Sequence, residues 1–376
     1  GLWDMAAGRE LARFKGAHTG RVNDVALSDQ AKLAITSGDG GVSQVWNLAT
    51  GRRLARLEGG SAAGHVLISK DGKRAITTYA DGGVQIWSPV DGKVTRSIQA
   101  SKTAIRSVAF RRGEEVVVVG DSDGQLSAWN IETGASVASV RAHGGAVTAI
   151  AGIAQGDTVV TAGEDGWIRV WDLSKKKLEL SETQVSETAL RAMAANKDGS
   201  QIAIAGDGGV VKIYDAVAGR LTKSFPGHKE PVMDVAFGKN DAVIHTASPD
   251  GTSRIFQVAE GRELVQIISS KNGWAALDSK SGAFVAEGDA GSAVKWANEK
   301  ASVDMDQFSN SHDDLGLLSR AAVGSAAPVV KEKPVLSVKF AMPPVVAVVT
   351  PKEDIKTDDD IFKLAVDLGD MGGGVV

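Results

Sequence analysis

The sequence contains no cysteine, few aromatic residues and only nine prolines. The absence of cysteine excludes disulfides, thiolate zinc sites and cysteine nucleophiles within this chain. No apolar run approaches the roughly 18 residues of a membrane-spanning helix, and residues 1–16 lack the apolar segment of a signal peptide. We therefore expect a cytoplasmic protein without a membrane partner. Because the chain begins inside a repeated motif, an exported parent protein stays open.

The sequence also lacks a strong charge of either sign. Its formal net charge is −4. Residues 1–298 hold 34 basic and 33 acidic side chains, whereas residues 299–376 hold 8 and 13. Phosphate binding needs clustered lysine and arginine. The nearly neutral first part therefore argues against a nucleic-acid partner, and the acidic tail is typical of a solvated segment.

Glycine is abundant, with 44 residues, which suits many short strands joined by tight turns. An aromatic residue ends a short alternating strand once in every 40 to 43 residues. These aromatic residues are Trp3, Trp46, Trp87, Trp129, Trp171, Tyr214, Phe256 and Trp296. A period of roughly 40–45 residues with four short strands in each unit is typical of a propeller blade.

Histidine, threonine and aspartate precede the aromatic residue in some of the units. One unit contains His143, Thr161, Asp165 and Trp171, and another contains His18, Thr36, Asp39 and Trp46. Taken alone, such a set could be a hydrolase triad. Its recurrence at the repeat spacing instead predicts a structural, hydrogen-bonded role.

These repeats resemble the WD-repeat family over about residues 1–298. The resemblance implies that His, Thr, Asp and Trp form a hydrogen-bonded tetrad inside a blade. Counting the units predicts an all-β fold, a seven-bladed WD-repeat β-propeller. The strand at Arg9–Gly16 is expected to complete the sheet begun by the last unit, near Gly273–Ala297, and Gly1–Asp4 is left over as the end of a strand whose own blade is missing.

The repeat stops after Trp296. Residues 299–327 are expected to be an acidic connector, and residues 328–376 the start of a truncated β-sandwich with three strands at VLSVKFA, PPVVAVVTP and IFKLAVDLGD. The segments PPVVAVVTP and FKLAVDLGDMGGGV resemble the β-sandwich linker of prokaryotic proteins that join WD repeats to a caspase-like protease domain. That resemblance implies a protease domain beyond these residues. Without cysteine, the chain itself cannot supply that catalysis.

No catalytic, cofactor or metal site is predicted, because the histidines fall in different blades and the GDGG segments precede strands rather than helices. A binding face is expected where the first strand of each blade begins and just before the turn aspartates. The candidate residues are Arg21, Asn23, Arg106, Ser122, Thr148, Glu164, Arg191 and Met233. Three arginines and a methionine suit a peptide with acidic and apolar features.

Three functions stay open at this point. The first is a non-catalytic protein-protein interaction module that acts as the sensing or regulatory propeller of a larger protein with a caspase-like protease effector. The second is a stand-alone WD-repeat scaffold that assembles a multiprotein complex. The third is a propeller enzyme with a site that lines its channel.

Overall fold

The computed structural model describes most of the repeats and little of the chain after them. The described residues are 2–4, 9–12, 14, 16, 18–111, 113–153, 157–175, 179–216, 218–269, 274–278, 284–287, 295–297, 302–304 and 363–365. Their regular structure is β-strand apart from one 3-10 turn at Lys239–Asp241. Among these residues, no helix has the length and apolar character needed to cross a membrane. The chain divides into two compact units, the first made of Gly1–Asp4 and Arg9–Phe237 and the second of Met5–Gly8 and Gly238–Val376.

The first unit contains five four-stranded antiparallel sheets, each built from consecutive strands. Sheet 1 has β3 (Val22–Ser28), β4 (Leu33–Gly38), β5 (Val42–Asn47) and β6 (Arg53–Glu58), and sheet 2 has β7 (Ala63–Ile68), β8 (Ala75–Tyr79), β9 (Gly83–Trp87) and β10 (Val94–Gln99). Sheet 3 has β11 (Ile105–Phe110), β12 (Val116–Asp121), β13 (Gln125–Asn130) and β14 (Ser136–Arg141), and sheet 4 has β15 (Val147–Gly152), β16 (Thr158–Gly163), β17 (Trp167–Asp172) and β18 (Glu179–Gln184). Sheet 5 has β19 (Leu190–Ala195), β20 (Gln201–Gly206), β21 (Val211–Asp215) and β22 (Leu221–Phe225), and β23 (Asp234–Phe237) follows it.

The burial of each strand follows from its place in the sheet. The second strand lies between two others, and in sheet 3 every residue of Val116–Asp121 is buried. The fourth strand, Ser136–Arg141, lies at the outer edge and is largely exposed. A strand covered on both faces is expected to be a continuous apolar run, whereas an outer strand carries polar residues. Each repeat therefore encodes one sheet with a buried centre.

Successive sheets of the first unit pack face to face. Their first strands contact one another in order, from β3 to β7, β11, β15, β19 and β23. Between sheets 3 and 4, Val147, Ile150 and Trp171 pack against Val116 and Val118. Trp87 of sheet 2 packs in the same way against sheet 1. The repeated aromatic residue thus fills the space between its own sheet and the preceding one, which is blade packing.

The start of the chain forms a small sheet of its own. Strand β1 (Leu2–Asp4) pairs with β2 (Arg9–Ala12), and Trp3 lies opposite Glu10. The described strand within Arg9–Gly16 is Arg9–Ala12, and it pairs with Leu2–Asp4 in a two-stranded sheet, so the prediction that it completes the sheet of the last unit is wrong. Leu2–Asp4 is therefore not left without a partner strand.

The first face of sheet 1 is less covered than its equivalents. Val25 and Leu27 on its first strand are 57% and 59% exposed, whereas Val66 and Ile68 at the same positions of sheet 2 are 2% and 8% exposed. Val66 and Ile68 pack against sheet 1. The sheet that precedes sheet 1 in the first unit has two strands rather than four.

In the second unit, five consecutive strands of the sixth sheet pair with one another. They are β24 (Val243–Ala247), β25 (Thr252–Gln257), β26 (Arg262–Ser269), β27 (Trp274–Asp278) and β28 (Phe284–Glu287). The prediction of seven blades is wrong, since six sheets are formed by the described repeats. The reason is that β27 pairs with β26, Val265 opposite Asp278 and Ser269 opposite Trp274, so the last repeat extends the sixth sheet instead of starting another.

Three short strands complete the second unit. Strand β29 (Lys295–Ala297) pairs with β30 (Ser302–Asp304) and with β31 (Lys363–Ala365). No β-sandwich is evident in the part of the tail that the structure describes, because Lys363–Ala365 pairs with the end of the last repeat. The predicted strands VLSVKFA and PPVVAVVTP lie outside the described residues. The boundaries at residues 298 and 327 stay predictions.

Candidate functional site

The sheet 4 network consists of His143, Thr161, Asp165 and Trp171, which lie in one chain of hydrogen bonds. The indole Nε1 of Trp171 donates to the hydroxyl of Thr161 over 2.9 Å. That hydroxyl lies 2.7 Å from Nε2 of His143, and Nδ1 of His143 lies 2.9 Å from Oδ1 of Asp165. The network joins the loop before the first strand to the second and third strands.

One protonation state satisfies every polar atom of this network. If the neutral His143 ring carries its proton on Nδ1, it donates to Asp165, and Nε2 accepts the hydroxyl proton of Thr161. The Thr161 oxygen then accepts from Trp171. Nη1 of Arg169 lies 2.9 Å from both Asp165 Oδ2 and His143 Nδ1. Because Nδ1 has no lone pair left in this state, the guanidinium donates to the carboxylate.

Burial and neighbouring groups act in opposite directions on each of the two ionisable members, and both pKa values end below their ordinary values. Burial lowers the pKa of His143, and the nearby Asp165 opposes that effect without reversing it. Burial also works against the charge on Asp165. The hydrogen bonds from the Gly144 amide, His143 and Arg169 outweigh it and bring the pKa of Asp165 to about 2. At neutral pH the network therefore holds a neutral imidazole against an ionised carboxylate.

The sheet 4 network is placed for support rather than for nucleophilic attack. Thr161 is 0% exposed and His143 is 2% exposed. A Cβ on Gly163 would collide with the His143 ring and with Asp165, so the ring fits only because this residue is glycine. A hydroxyl without solvent access cannot reach a substrate carbonyl.

Sheet 1 forms only part of the same network. Nε2 of His18 lies 2.9 Å from the Thr36 hydroxyl, and Trp46 Nε1 donates to that hydroxyl over 3.0 Å. Asp39 instead accepts a hydrogen bond of 2.9 Å from Asn23. Among the described contacts, the prediction that Asp39 is the fourth member is wrong. Asp39 stands three residues after Thr36, the position of Glu164 in sheet 4, and Gly40 takes the position of Asp165.

Sheet 2 has no histidine at this position and uses a hydroxyl of the neighbouring sheet. Trp87 Nε1 donates to Thr77 over 3.1 Å, and the Thr77 hydroxyl donates to Ser43 of sheet 1 over 3.0 Å. All three side chains are buried. A buried indole N–H needs an acceptor, and the acceptor needs its own partner. The polar chain is therefore completed between two sheets rather than within one.

A repeated bulge defines a second candidate site, which we call the rim. In sheets 1, 3, 4 and 5 the register of the first strand shifts after its first residue, so one residue has no partner on the second strand. These residues are Asn23, Arg106, Thr148 and Arg191. A bulge turns its side chain out of the alternating pattern. The rim consists of these residues, of Met233 just before β23, and of the turn that follows each second strand.

Bulge residues of the rim bind the turn residue of their own sheet. Asn23 binds Asp39 in sheet 1, and Arg106 Nε donates to the Ser122 hydroxyl over 3.1 Å in sheet 3. In sheet 5, Nε and Nη2 of Arg191 donate to the two oxygens of Asp207 over 2.7 and 2.9 Å. The first residue after the second strand thus decides how much charge each bulge residue presents.

The remaining predicted binding residues lie around these pairs. The Thr148 hydroxyl donates to the Ala162 carbonyl over 3.1 Å, so it turns back onto its own sheet. Glu164 Oε1 lies 3.4 Å from Arg191 Nη1 of the next sheet. Arg21 is exposed and its carbonyl accepts from the Asp39 amide, and Met233 is 52% exposed. Of the predicted residues, the structure therefore brings Arg106 together with Ser122 and Glu164 together with Arg191.

Sequence reasoning missed a polar cluster beside the rim. Asp24 Oδ2 lies 3.3 Å from His65 Nδ1, and the Val66 amide donates to the same oxygen over 3.0 Å. Burial, with the nearby charge of Asp24, raises the pKa of Asp234. Alignment of the repeats would have shown that Asp24, His65 and Asp234 each directly precede an aligned valine, Val25, Val66 or Val235. No set of three or more metal-binding side chains is present among the described residues.

Comparison with known proteins agrees with this architecture. The family model "WD domain, G-beta repeat" matches residues 8–47, 134–172 and 219–257. Each matched segment ends one residue after Trp46, Trp171 or Phe256. A stretch of 65 residues is 35% identical to human "WD repeat and HMG-box DNA-binding protein 1", and it covers 17% of this chain and 6% of that protein.

The matched repeats, the four-stranded sheets and the position of the repeated aromatic residue define one class of protein. The chain is an all-β, WD-repeat β-propeller protein.

Proposed function

We propose that the chain is a non-catalytic protein-interaction module that holds partner proteins at the rim. The observation that carries this proposal is the repetition of the same bulge in sheets 1, 3, 4 and 5, where the bulge residue is asparagine, arginine, threonine and arginine in turn. A rigid frame that presents variable side chains at equivalent positions suits recognition of another protein.

The charge distribution supports a protein partner over a nucleic acid. Residues 1–298 have nearly equal numbers of acidic and basic side chains, and at the rim Arg191 is already paired with Asp207 and Glu164. The human relative is named as a DNA-binding protein, but the alignment covers 6% of it. A DNA-binding surface would need several clustered cations.

The propeller-enzyme alternative rests on the Asp24, His65 and Asp234 cluster. Asp24 already accepts from the Val25 and Val66 amides as well as facing His65, which supports a structural use of its carboxylate. The comparisons give no support to a caspase-like protease effector, so that effector is not part of the proposal. A scaffold for a multiprotein complex is the simplest form of the proposed function.

The test is recovery of partners by the folded chain. Wild-type protein and a variant with Asn23→Ala, Arg106→Ala and Met233→Ala are immobilised, and proteins retained from the source cell are identified and then rebound in purified form. We expect a defined partner that binds the wild type and loses at least about tenfold in affinity to the variant. Equal binding by both proteins would place the interface elsewhere. Hydrolysis of ester or peptide substrates by the wild type would contradict the non-catalytic assignment.

A further inference from the structure

At the rim, bulge residues pair with turn residues, and these pairs differ in whether the turn residue neutralises the charge of the bulge residue. In sheet 5 the guanidinium of Arg191 makes two hydrogen bonds to Asp207 and lies 3.4 Å from Glu164. A bidentate arginine-carboxylate pair occupies both the charge and the fork of donors. Arg191 therefore has little left with which to bind an external carboxylate.

Sheet 3 has the same arginine at the same bulge but a different turn residue. Arg106 is exposed, and its Nε donates to the neutral hydroxyl of Ser122. Ser122 also donates to the carbonyl of Ala104, which fixes the turn in place. Among the described residues, no carboxylate forms an ion pair with Arg106. The positive charge and the two terminal nitrogens of its guanidinium are thus presented outwards, with the Nε held in position.

We propose that Arg106 is the anchor for a carboxylate of an acidic peptide segment, a role that rests on the proposed protein-interaction function. A carboxylate can accept two parallel hydrogen bonds from one guanidinium, as Asp207 does from Arg191. The partner's carboxylate takes at sheet 3 the place that Asp207 takes at sheet 5. Met233 at the rim and Val22 beside it are exposed apolar side chains, and they suit apolar residues elsewhere in the same segment.

The test exchanges the two turn residues and leaves both arginines in place. Ser122→Asp supplies Arg106 with an internal carboxylate, and Asp207→Ser removes the one that Arg191 has. The probes are fluorescein-labelled peptides with one aspartate, one asparagine or one phosphoserine between leucines, and binding is measured by fluorescence anisotropy. Arg220→Gln, in the turn between the third and fourth strands of sheet 5 and away from the rim, is the control for loss of an exposed arginine. Circular dichroism and melting curves check that each variant is folded.

We expect the aspartate peptide to bind the wild type and the Arg220→Gln variant equally, and the Ser122→Asp and Arg106→Gln variants at least about tenfold more weakly, which is about 1.4 kcal/mol. Asp207→Ser should increase binding. Unchanged affinity in the Ser122→Asp variant, or equal binding of the aspartate and asparagine peptides, would overturn the assignment of Arg106. Tighter binding of the phosphoserine peptide would overturn the choice of carboxylate. If a purified partner binds the rim and ignores Ser122→Asp, only the anchor is wrong and the interaction function stands.

Discussion

Sheets 1 and 4 carry the same histidine, threonine and tryptophan at the same spacing, yet only sheet 4 closes the network with a carboxylate. In sheet 4 the acid is Asp165, four residues after Thr161, and it binds His143. In sheet 1 it is Asp39, three residues after Thr36, and it binds Asn23 at the rim. A shift of one residue therefore moves a carboxylate from the interior of a sheet to the rim. The turn after the second strand can thus place an acid either in the buried network or beside a bulge residue.

Removal of the shared acceptor in sheet 4 should have the largest effect. Thr161→Val keeps the shape of the side chain but leaves the Trp171 N–H and His143 Nε2 buried without a partner. We expect the free energy of unfolding to fall by about 2–4 kcal/mol, since each such group costs about 1–3 kcal/mol. Urea denaturation measures this. Thr158→Val, on the same strand, is the matched control, and a loss no larger than that of the control would contradict the network.

Substitution of the histidine should cost more stability in sheet 4 than in sheet 1. His143→Ala leaves Asp165 and Thr161 underpaired, and we expect a loss of about 1–3 kcal/mol. Among the described contacts, His18 makes one side-chain hydrogen bond, to Thr36, and it is partly exposed, so His18→Ala should cost less than about 1 kcal/mol. Partner binding by the folded His143→Ala protein should be unchanged. If the two substitutions cost the same, the carboxylate contributes nothing and the comparison fails.

Acid should weaken sheet 4 in two steps. The pKa of His143 is below its ordinary value of 6.5, so the unfolded chain binds a proton first and stability falls as the pH drops below that value. The pKa of Asp165 is about 2 in the folded protein against 3.8, so its contribution is lost as the pH falls from 3.8 to about 2. When the pH is lowered from about 7.5 to about 5, we expect the melting temperature to decrease. This decrease should be smaller than the decrease caused by His143→Ala.

The first of these acid steps belongs to His143 itself. In a His143→Gln variant, part of the fall in melting temperature between the two pH values should disappear, while the part that comes from other groups stays. Identical pH profiles for the variant and the wild type would show that His143 binds its proton equally in the folded and unfolded states.

The sequence was sufficient to predict the repeat but not its end. The period of Trp46, Trp87, Trp129 and Trp171 follows from one aromatic residue packing between each pair of sheets, so spacing alone predicts sheets 1 to 4. The last repeat follows the same pattern, yet Trp274–Asp278 pairs with the edge of Arg262–Ser269. Either arrangement satisfies the same backbone groups. The periodicity therefore could not distinguish a seventh sheet from an extension of the sixth.

The rim was predictable in position and not in chemistry. Equivalent positions in the first strands pointed to Asn23, Arg106 and Arg191. Which residue each of them binds depends on the bulge. The bulge brings the second residue of the first strand beside the turn that follows the second strand. Sequence reasoning gave Arg106 and Arg191 the same role. Contacts with Ser122 in one case and Asp207 in the other separate them.

The substitution with the smallest expected effect is also the most direct test of the comparison between sheets 1 and 4. It introduces into sheet 1 an acid at the position that Asp165 has in sheet 4. Gly40 stands where sheet 4 has Asp165, and a Cβ placed on it meets nothing within 4 Å. Its φ is not in the left-handed region, whereas that of the next residue, Gly41, is +71°. Gly40→Asp should let a carboxylate reach Nδ1 of His18, adding a charge-assisted hydrogen bond and reducing the freedom of the unfolded chain, for a gain of about 0.5–1.5 kcal/mol. Gly40→Ala supplies the second effect alone. If the aspartate variant is no more stable than the alanine variant, or if its advantage persists after His18→Ala, the position of the acid does not explain why the two sheets differ.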